Sequence, residues 1–281
     1  IKGDIRDDSS VLSILRSHRI DTIVHFAAES HVDRSIEGPR AFVSTNVEGT
    51  LSLLAAARQA WLVDRRPVTE PGRFHHVSTD EVYGSLGQTD PAFTEGTPYA
   101  PRSPYAASKA AADHIASSYF YTFGLPITIS HGCNNYGSHQ FPEKVIPIFS
   151  TQALQNKPLP VFKSSKNKRE WLHVQDHCRA IDVILEKGKI GESYNVGSGL
   201  EKTIDKVAND VLKILGKPRN LKKTVPDRPS HDTRYLLDSS KIMNLGWRPE
   251  IEWEDGLRET VEWYKNNSSW WRPLLKKSHA R

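Results

Sequence analysis

The sequence predicts an α/β protein, a doubly wound parallel sheet carrying a smaller C-terminal lobe. Three observations lead there. Residues 21–26, 73–78 and 125–130 are short apolar segments with the length and β-branched content of buried strands. The segments between them are longer and repeat apolar residues at helical spacing. Crossovers of that length join parallel strands and place helices on both faces of the sheet.

Asp21-Thr-Ile-Val-His-Phe26 is the first such strand, and the small Ala27 and Ala28 at its end suit a close backbone approach. A helix is expected over 39–60, with Phe42, Val43, Val47, Leu51, Leu54 and Ala55 on its apolar face. A loop containing proline and glycine then leads into the second strand, Arg73-Phe-His-His-Val-Ser78. Ser103 followed by Pro104 is an N-cap with proline at the first helical position, opening a helix to about Phe123. Residues 125–130 return as a strand. Beyond residue 133, helical patterns near 141–156, 174–187, 203–215 and 254–267 alternate with proline-rich and polar loops. The expected division is 1–133 for the sheet domain and 134–281 for a substrate-side lobe, with segments about 158–196 returning to the first.

Composition narrows the function classes. Hydrophobic residues at 37% and charged residues at 25% fit a soluble globular chain of 281 residues. No apolar run approaches the roughly 18 residues of a membrane span. The formal charge of +5 comes from basic residues interleaved with 33 acidic ones, so no patch invites nucleic acid. The two cysteines, Cys133 and Cys178, form no disulfide or metal framework and are expected as small buried side chains in a cytoplasmic protein. His173 and His177 have the spacing of a metal pair but lack a third ligand, so no metal is expected.

A doubly wound sheet normally binds a dinucleotide at a glycine-rich turn after its first strand. No such turn occurs in this sequence, and its sole methionine is Met243. The expectation is that a first strand, turn and helix lie upstream of Ile1. The chain from Ile1 onward should then be poorly soluble and hold a dinucleotide weakly.

Two motifs carry chemistry. Tyr105-Ala-Ala-Ser-Lys109 sets a phenol and an ammonium one helical turn apart on one face, and a nearby cation favours the phenolate. Thr79-Asp80-Glu81 sits at the carboxyl end of the second strand, the side on which parallel sheets bind ligands. The plain alternative for the second motif is a cap on a short helical turn.

With these motifs, Ala27-Ala-Glu-Ser-His-Val-Asp-Arg-Ser-Ile36, Asn134-Asn-Tyr-Gly137, Gln140-Phe-Pro-Glu-Lys144, Asp176-His-Cys-Arg-Ala-Ile181 and Asp227-Arg-Pro-Ser-His231 follow in family order. The chain resembles the extended short-chain dehydrogenase/reductase family, and within it the dTDP-glucose 4,6-dehydratases. Asp80 discriminates, because related nucleotide-sugar decarboxylases and GDP-mannose dehydratases typically carry serine there. The resemblance implies a Rossmann-type domain, NAD as cofactor and a nucleotide-diphosphate sugar as substrate. It also implies a homodimer through helices around 39–60 and 101–123. Tyr105, with Lys109 and Thr79, would accept the C4 hydroxyl proton; Glu81 would remove the C5 proton and Asp80 would protonate the leaving C6 hydroxyl. Adjacent carboxylates with opposite duties require environments that push their pKa values apart.

Cofactor contacts implied by family position are Asp4, Ile5, Phe26, Ala27, Ala28, Thr45, Tyr105, Lys109 and Asn135. Those implied for substrate are Ser30, Thr79, Asn134, Lys144, Val145, Pro160, Phe162, Arg169, Asp227, Arg228 and His231, with the Arg169 fork suited to a diphosphate. Departures from the family pattern occur at Phe162-Lys-Ser-Ser165, Leu200, His131 and Ser230. They bear on which nucleotide is recognised rather than on the reaction. The alternatives are a UDP-sugar dehydratase, epimerase or decarboxylase of the same superfamily, or a catalytically silent nucleotide-binding relative.

Overall fold

The computed structural model describes residues 1–64, 72–227, 229 and 232–278. Its parallel sheet contains β1 (Thr22–His25), β2 (Arg73–Thr79), β3 (Ile127–Gly132) and, after a long excursion, β7 (Ser193–Val196), hydrogen-bonded in the order β1-β2-β3-β7. Every neighbouring pair is parallel. The predicted doubly wound α/β class is therefore the observed one. The third strand runs two residues later than the sequence suggests, because proline cannot donate to the ladder and Pro126 serves only as an acceptor, from Phe74 N–H.

Helices α1 (Asp8–Ser17), α2 (Val32–Glu37), α3 (Pro39–Phe42), α4 (Gly49–Arg58) and α5 (Pro104–Phe123) belong to this domain. The helix expected over 39–60 is continuous but widens to π-helical turns at Val43–Glu48 and Gln59–Val63. Leu15, Leu54 and Trp61 from the helices pack on Phe74, Ile127 and Ile129 of the strands in one buried cluster. Ser103 caps α5 as read, its Oγ accepting from Ala106 N–H at 3.1 Å, and Gly124 ends the helix at φ +71°. On the sheet's other face Gly132 lies against His177 of α7 (Val174–Lys187); a Cβ at 132 would stand 2.6 Å from the imidazole.

The lobe is built from β4 (Asn134–Tyr136), α6 (Val145–Leu154), β5 (Leu159–Phe162), β6 (Lys168–His173), β8 (Glu201–Thr203), α8 (Ile204–Ile214) and β9 (Lys222–Val225). The short α9 (Ser240–Met243) is followed by α10 (Trp253–Asn266) and α11 (Ser268–Ser278). Strands β4, β6 and β8 form one small sheet and β5 with β9 another. Phe149, Leu159, Trp171, Val207, Trp253 and Leu257 fill the lobe's core. Within segment 158–196, α7 and β7 pack with the parallel sheet, whereas β5 and β6 pair inside the lobe. One expectation is corrected: Cys133 is buried but Cys178 is exposed. Helix α7 buries Asp176, His177, Ala180, Ile181 and Ile184, and position 178 falls on the opposite face.

Candidate active site

Strand β2 ends at Thr79, whose Oγ1 accepts from Glu81 N–H at 3.3 Å and so opens a short 3₁₀ turn, Asp80–Tyr83. Both the capping reading and the catalytic one are thus compatible with Thr79. Helix α5 presents Tyr105, Lys109 and Asp113 at four-residue spacing, on one buried face. The Tyr105 phenol is hydrogen-bonded to Thr79. Lys109 Nζ donates to the carbonyl of Val77 at 2.8 Å, two residues before Thr79.

Burial sorts the protonation states. Asp80 is only 2% exposed; its Oδ1 accepts from the Thr79 hydroxyl at 3.2 Å, and its Oδ2 has no hydrogen-bond partner. Desolvation, reinforced by the charges of Glu81 and Glu170, raises its pKa well above the usual carboxylate value. Burial thus favours the protonated form of Asp80, while the adjacent Glu81 is only half-buried. Burial also raises the Tyr105 phenol, with Glu81 adding to the effect and the Thr79 hydrogen bond opposing it. Lys109 is lowered to about 8 by burial, partly offset by the charge of Asp113.

Behind these groups lies a polar network that motif reading did not find. Asp113 Oδ2 accepts from the hydroxyls of Ser78 at 2.8 Å and Tyr99 at 3.1 Å, and lies 3.2 Å from His131 Nε2. His76 Nε2 is 3.1 Å from Asp113 Oδ1. The spacing of Asp113, four residues after Lys109, was the available signal; the converging strands that complete the network leave none in sequence. Glu170 is likewise buried, accepting from Gly199 N–H at 2.6 Å and Leu237 N–H at 2.9 Å, with burial lifting it to about 7.

The implied substrate residues fall into three groups. Ser30 and Lys144 meet, Lys144 Nζ donating to the Ser30 carbonyl at 2.6 Å; Val145 follows as the first residue of α6, and Asn134 opens β4, half-buried. Arg169 is buried on β6, donates to the carbonyl of Asp232 at 2.8 Å and lies over the Tyr235 ring at 4.6 Å. Its charge acts on Asp80, which brings it to the catalytic end of the cleft. Pro160 and Phe162 lie on β5, and exposed Asp227 accepts at 2.9 Å and 2.7 Å from Ser164 N–H and hydroxyl. Arg228 and His231, with Ser230, lie outside the described residues.

Along the sheet edge, Phe26 is 60% exposed and Ala27 and Ala28 are exposed, forming an open apolar strip just beyond β1. Thr45 is half-buried in the π-helical turn nearby. Asp4 is exposed and paired with Arg6, whereas Ile5 turns inward against Gly49. Asn135 spends its amide on the Cys133 carbonyl at 3.0 Å and His177 Nδ1 at 3.0 Å. An apolar strip at the carboxyl end of a parallel strand, beside a buried phenol and ammonium, fits a dinucleotide with its reactive ring toward Tyr105. His177 is engaged with Asn135, and His173 Nδ1 accepts from Gln175 N–H at 3.4 Å as the cap of α7. Among the described residues no group of three ligands could hold a metal, and no helix is long and apolar enough to cross a membrane. A half-open cavity of about 230 Å³ lies in the lobe beside Tyr136, Trp171 and Trp253, and none of the five catalytic candidates lines it.

Comparison with known proteins shows the family. The family model described as GDP-mannose 4,6 dehydratase matches residues 1–260. A dTDP-glucose 4,6-dehydratase of Xanthomonas campestris is 49% identical over 99% of this chain and 82% of its own length. That of Haemophilus influenzae is 46% identical over 95% and 83%. The crystal structure of the Streptomyces venezuelae dTDP-glucose 4,6-dehydratase, with NAD bound, has a TM-score of 0.90 at 48% identity, covering 97% of this chain and 81% of that one. A Thermus thermophilus UDP-glucose 4-epimerase in complex with NAD is further away in sequence, at 30% identity, with a TM-score of 0.84 over 94% and 84%. Sequence, fold and the buried acid at the end of β2 agree: this chain belongs to the extended short-chain dehydrogenase/reductase family, in its nucleotide-sugar 4,6-dehydratase branch.

Proposed function

We infer that the protein is an NAD-dependent dTDP-glucose 4,6-dehydratase, a hydro-lyase yielding the 4-keto-6-deoxy sugar nucleotide. The observation that carries the reading is the unequal pair at the end of β2: Asp80 fully buried, which favours its acid form, and Glu81 beside it and half-buried. Elimination of water across C5 and C6 needs a base on one carbon and an acid on the next, and adjacent side chains in unlike environments provide both. Epimerisation at C4 has no use for an acid at C6.

Tyr105 accepts the C4 hydroxyl proton, with Thr79 hydrogen-bonded to the phenol to orient it. Oxidation at C4 makes the C5 hydrogen acidic, so Glu81 removes it after the ketone exists, while Asp80 gives its proton to the departing C6 hydroxyl. Phe26–Ala28 and Lys109 would hold NAD, which when bound would supply the acceptor and later donor of the hydride exchanged with C4 and C6. Arg169 supplies the fork for the substrate diphosphate, and Ser30, Asn134, Lys144, Val145, Pro160, Phe162 and Asp227 line the remainder of the nucleotide-sugar site.

The homodimer is part of the same reading. Val43, Leu51, Tyr121 and Phe123 are exposed on the helices proposed to pair, apolar surface that a second copy would cover. A cytoplasmic setting suits two unpaired thiols. The deciding experiment is product analysis after incubation with dTDP-glucose and NAD: loss of one water with a 4-ketone is expected. Recovery of a C4 epimer, or of unchanged substrate, would refute the dehydratase reading. UDP-glucose run in parallel reports the nucleotide preference.

A further inference from the structure

The 3₁₀ turn that carries Asp80 and Glu81 is bracketed by a single buried carboxylate. On the entry side, Ser78 donates its hydroxyl to Asp113 Oδ2 at 2.8 Å. On the exit side, Tyr83 closes the turn, and its hydroxyl donates to Asn195 Oδ1 at 2.9 Å. Asn195 is itself oriented, because its Nδ2 donates to the Phe93 carbonyl at 2.9 Å. The Tyr83 oxygen also shares a hydrogen bond with His131 Nδ1, 3.0 Å away. The other ring nitrogen of His131 lies 3.2 Å from Asp113 and 2.7 Å from the Tyr99 hydroxyl.

Only Thr79, Asp80, Glu81 and Val82 lie between Ser78 and Tyr83. The Tyr83 ring is clamped as well, stacked on Phe93 at 5.2 Å and edge-on to Tyr99 at 5.5 Å. Asp113, His131, Tyr83 and Ser78 are all buried. Asp113 also follows Tyr105 and Lys109 on the same face of α5, so one helix registers the base and the turn that bears the two carboxyls.

We propose that Asp113, through Ser78 on one side and His131 and Tyr83 on the other, is the positioning device that aims Asp80 and Glu81 at adjacent substrate carbons. Tyr83 and His131 touch no reacting atom; they act through the turn. The inference rests on the dehydratase reading and deepens it. It makes a statement that a purely structural role would not make: loosening the exit side affects elimination selectively, since C4 oxidation depends on Tyr105 and Lys109, which the bracket's far arm does not hold.

Tyr83→Phe is the decisive variant, because it removes one hydroxyl and leaves the stack on Phe93. In single turnovers with dTDP-glucose, the C4 oxidation phase should stay within about threefold of wild type, while the decay of the reduced-nicotinamide absorbance slows about 10- to 100-fold, the cost expected of small misplacement. KM should change little, and the melting temperature should fall modestly, because Asn195 Oδ1 and His131 Nδ1 each lose a buried partner. Asp113→Asn should slow both phases, and if it fails to fold, Tyr83→Phe still decides. A Tyr83→Phe protein with the wild-type ratio of the two phases overturns the proposal, as does a parallel fall of both phases with a lowered melting temperature. Wild-type protein that neither reduces NAD nor dehydrates dTDP-glucose would instead remove the dehydratase reading, and this inference with it.

Discussion

The end of β2 and the β5–β9 face of the lobe solve the problem of holding polar groups in opposite ways. At β2, Asp80, Tyr105, Lys109 and Asp113 are all buried, and Lys109 and Asp113 are held by partners from other elements. On the lobe, Asp227 is exposed and Phe162 half-buried, and Asp227 and Ser164 answer each other across a surface turn. The contrast separates chemistry from recognition. Groups that must meet a transition state are preorganised before ligand arrives, because reorganising them during reaction would cost rate. Asp227, proposed to recognise the nucleotide, is instead satisfied by Ser164 and would have to exchange that partner on binding.

The largest effect expected from breaking this contrast is at Tyr105. Tyr105→Phe should lower the C4 oxidation rate by about 10²- to 10⁴-fold, the usual loss on removing a general base. Nucleotide-sugar affinity, measured by calorimetry, should remain close to wild type. Turnover within a few-fold of wild type would show that Tyr105 is not the base.

Acid should destabilise the sheet domain, whose buried imidazoles have no counterpart among the described residues of the β5–β9 face. Burial is the first cause lowering His25 to about 2, His75 to about 3, and His76 and His177 to about 4. Their folded pKa values are depressed, so their contribution is present above the unfolded value of about 6.5 and is lost as pH falls below it. Glu170, raised to about 7, and Asp80, raised well above its usual value, have the reverse sign and gain stability over the same descent. The lowered histidines, with His31 and His173 shifted the same way, outnumber the two raised carboxyls. The free energy of unfolding should therefore fall between pH 6 and pH 5. Urea titrations at the two pH values check it, and a flat profile would mean that the imidazoles are hydrated in solution.

Much of the fold was legible because its elements carry local signals. Ser103-Pro104 and Gly124 mark α5 at both ends, and the apolar strand segments repeat at the spacing a parallel sheet demands. The five residues proposed as catalytic lie in two short local motifs, which is why they could be read from sequence. What the sequence hid depends on contacts between distant residues: the pairing of β5 with β9, the bond from Lys109 to Val77, and the convergence of Ser78, Tyr99 and His131 on Asp113. Helix α1 was also passed over, although Asp7 caps it by accepting from Ser10 N–H at 3.0 Å. Asn135, read by position as a cofactor contact, has its amide engaged by Cys133 and His177, something no motif discloses.

A smaller effect is expected at Arg169, which stands between the two regimes. It is buried like the residues proposed as catalytic, yet its proposed part is in recognition. Arg169→Ala should raise KM by about 10- to 100-fold with a lesser change in kcat, and cost about 1–3 kcal/mol of stability through the lost cation–π contact and carbonyl bond. Arg169→Lys should restore little, because a point charge cannot reproduce the fork. A kcat loss exceeding the KM change would move Arg169 into the chemistry.

The smallest effect tests the exchange of partners directly. Asp227 accepts from both the N–H and the hydroxyl of Ser164, so removing the hydroxyl takes away one bond that competes with substrate and leaves the turn its backbone contact. Ser164→Ala should then lower KM by about two- to threefold, since one ordinary hydrogen bond contributes roughly 0.5–1.5 kcal/mol. Asp227→Ala should raise KM, and in the double variant the benefit of Ser164→Ala should vanish, because no carboxylate remains to be released. The double-mutant cycle isolates that coupling. Additive effects at the two positions would mean that Asp227 stays on Ser164 throughout turnover, and that the lobe's recognition surface is as prebuilt as the catalytic edge of the sheet.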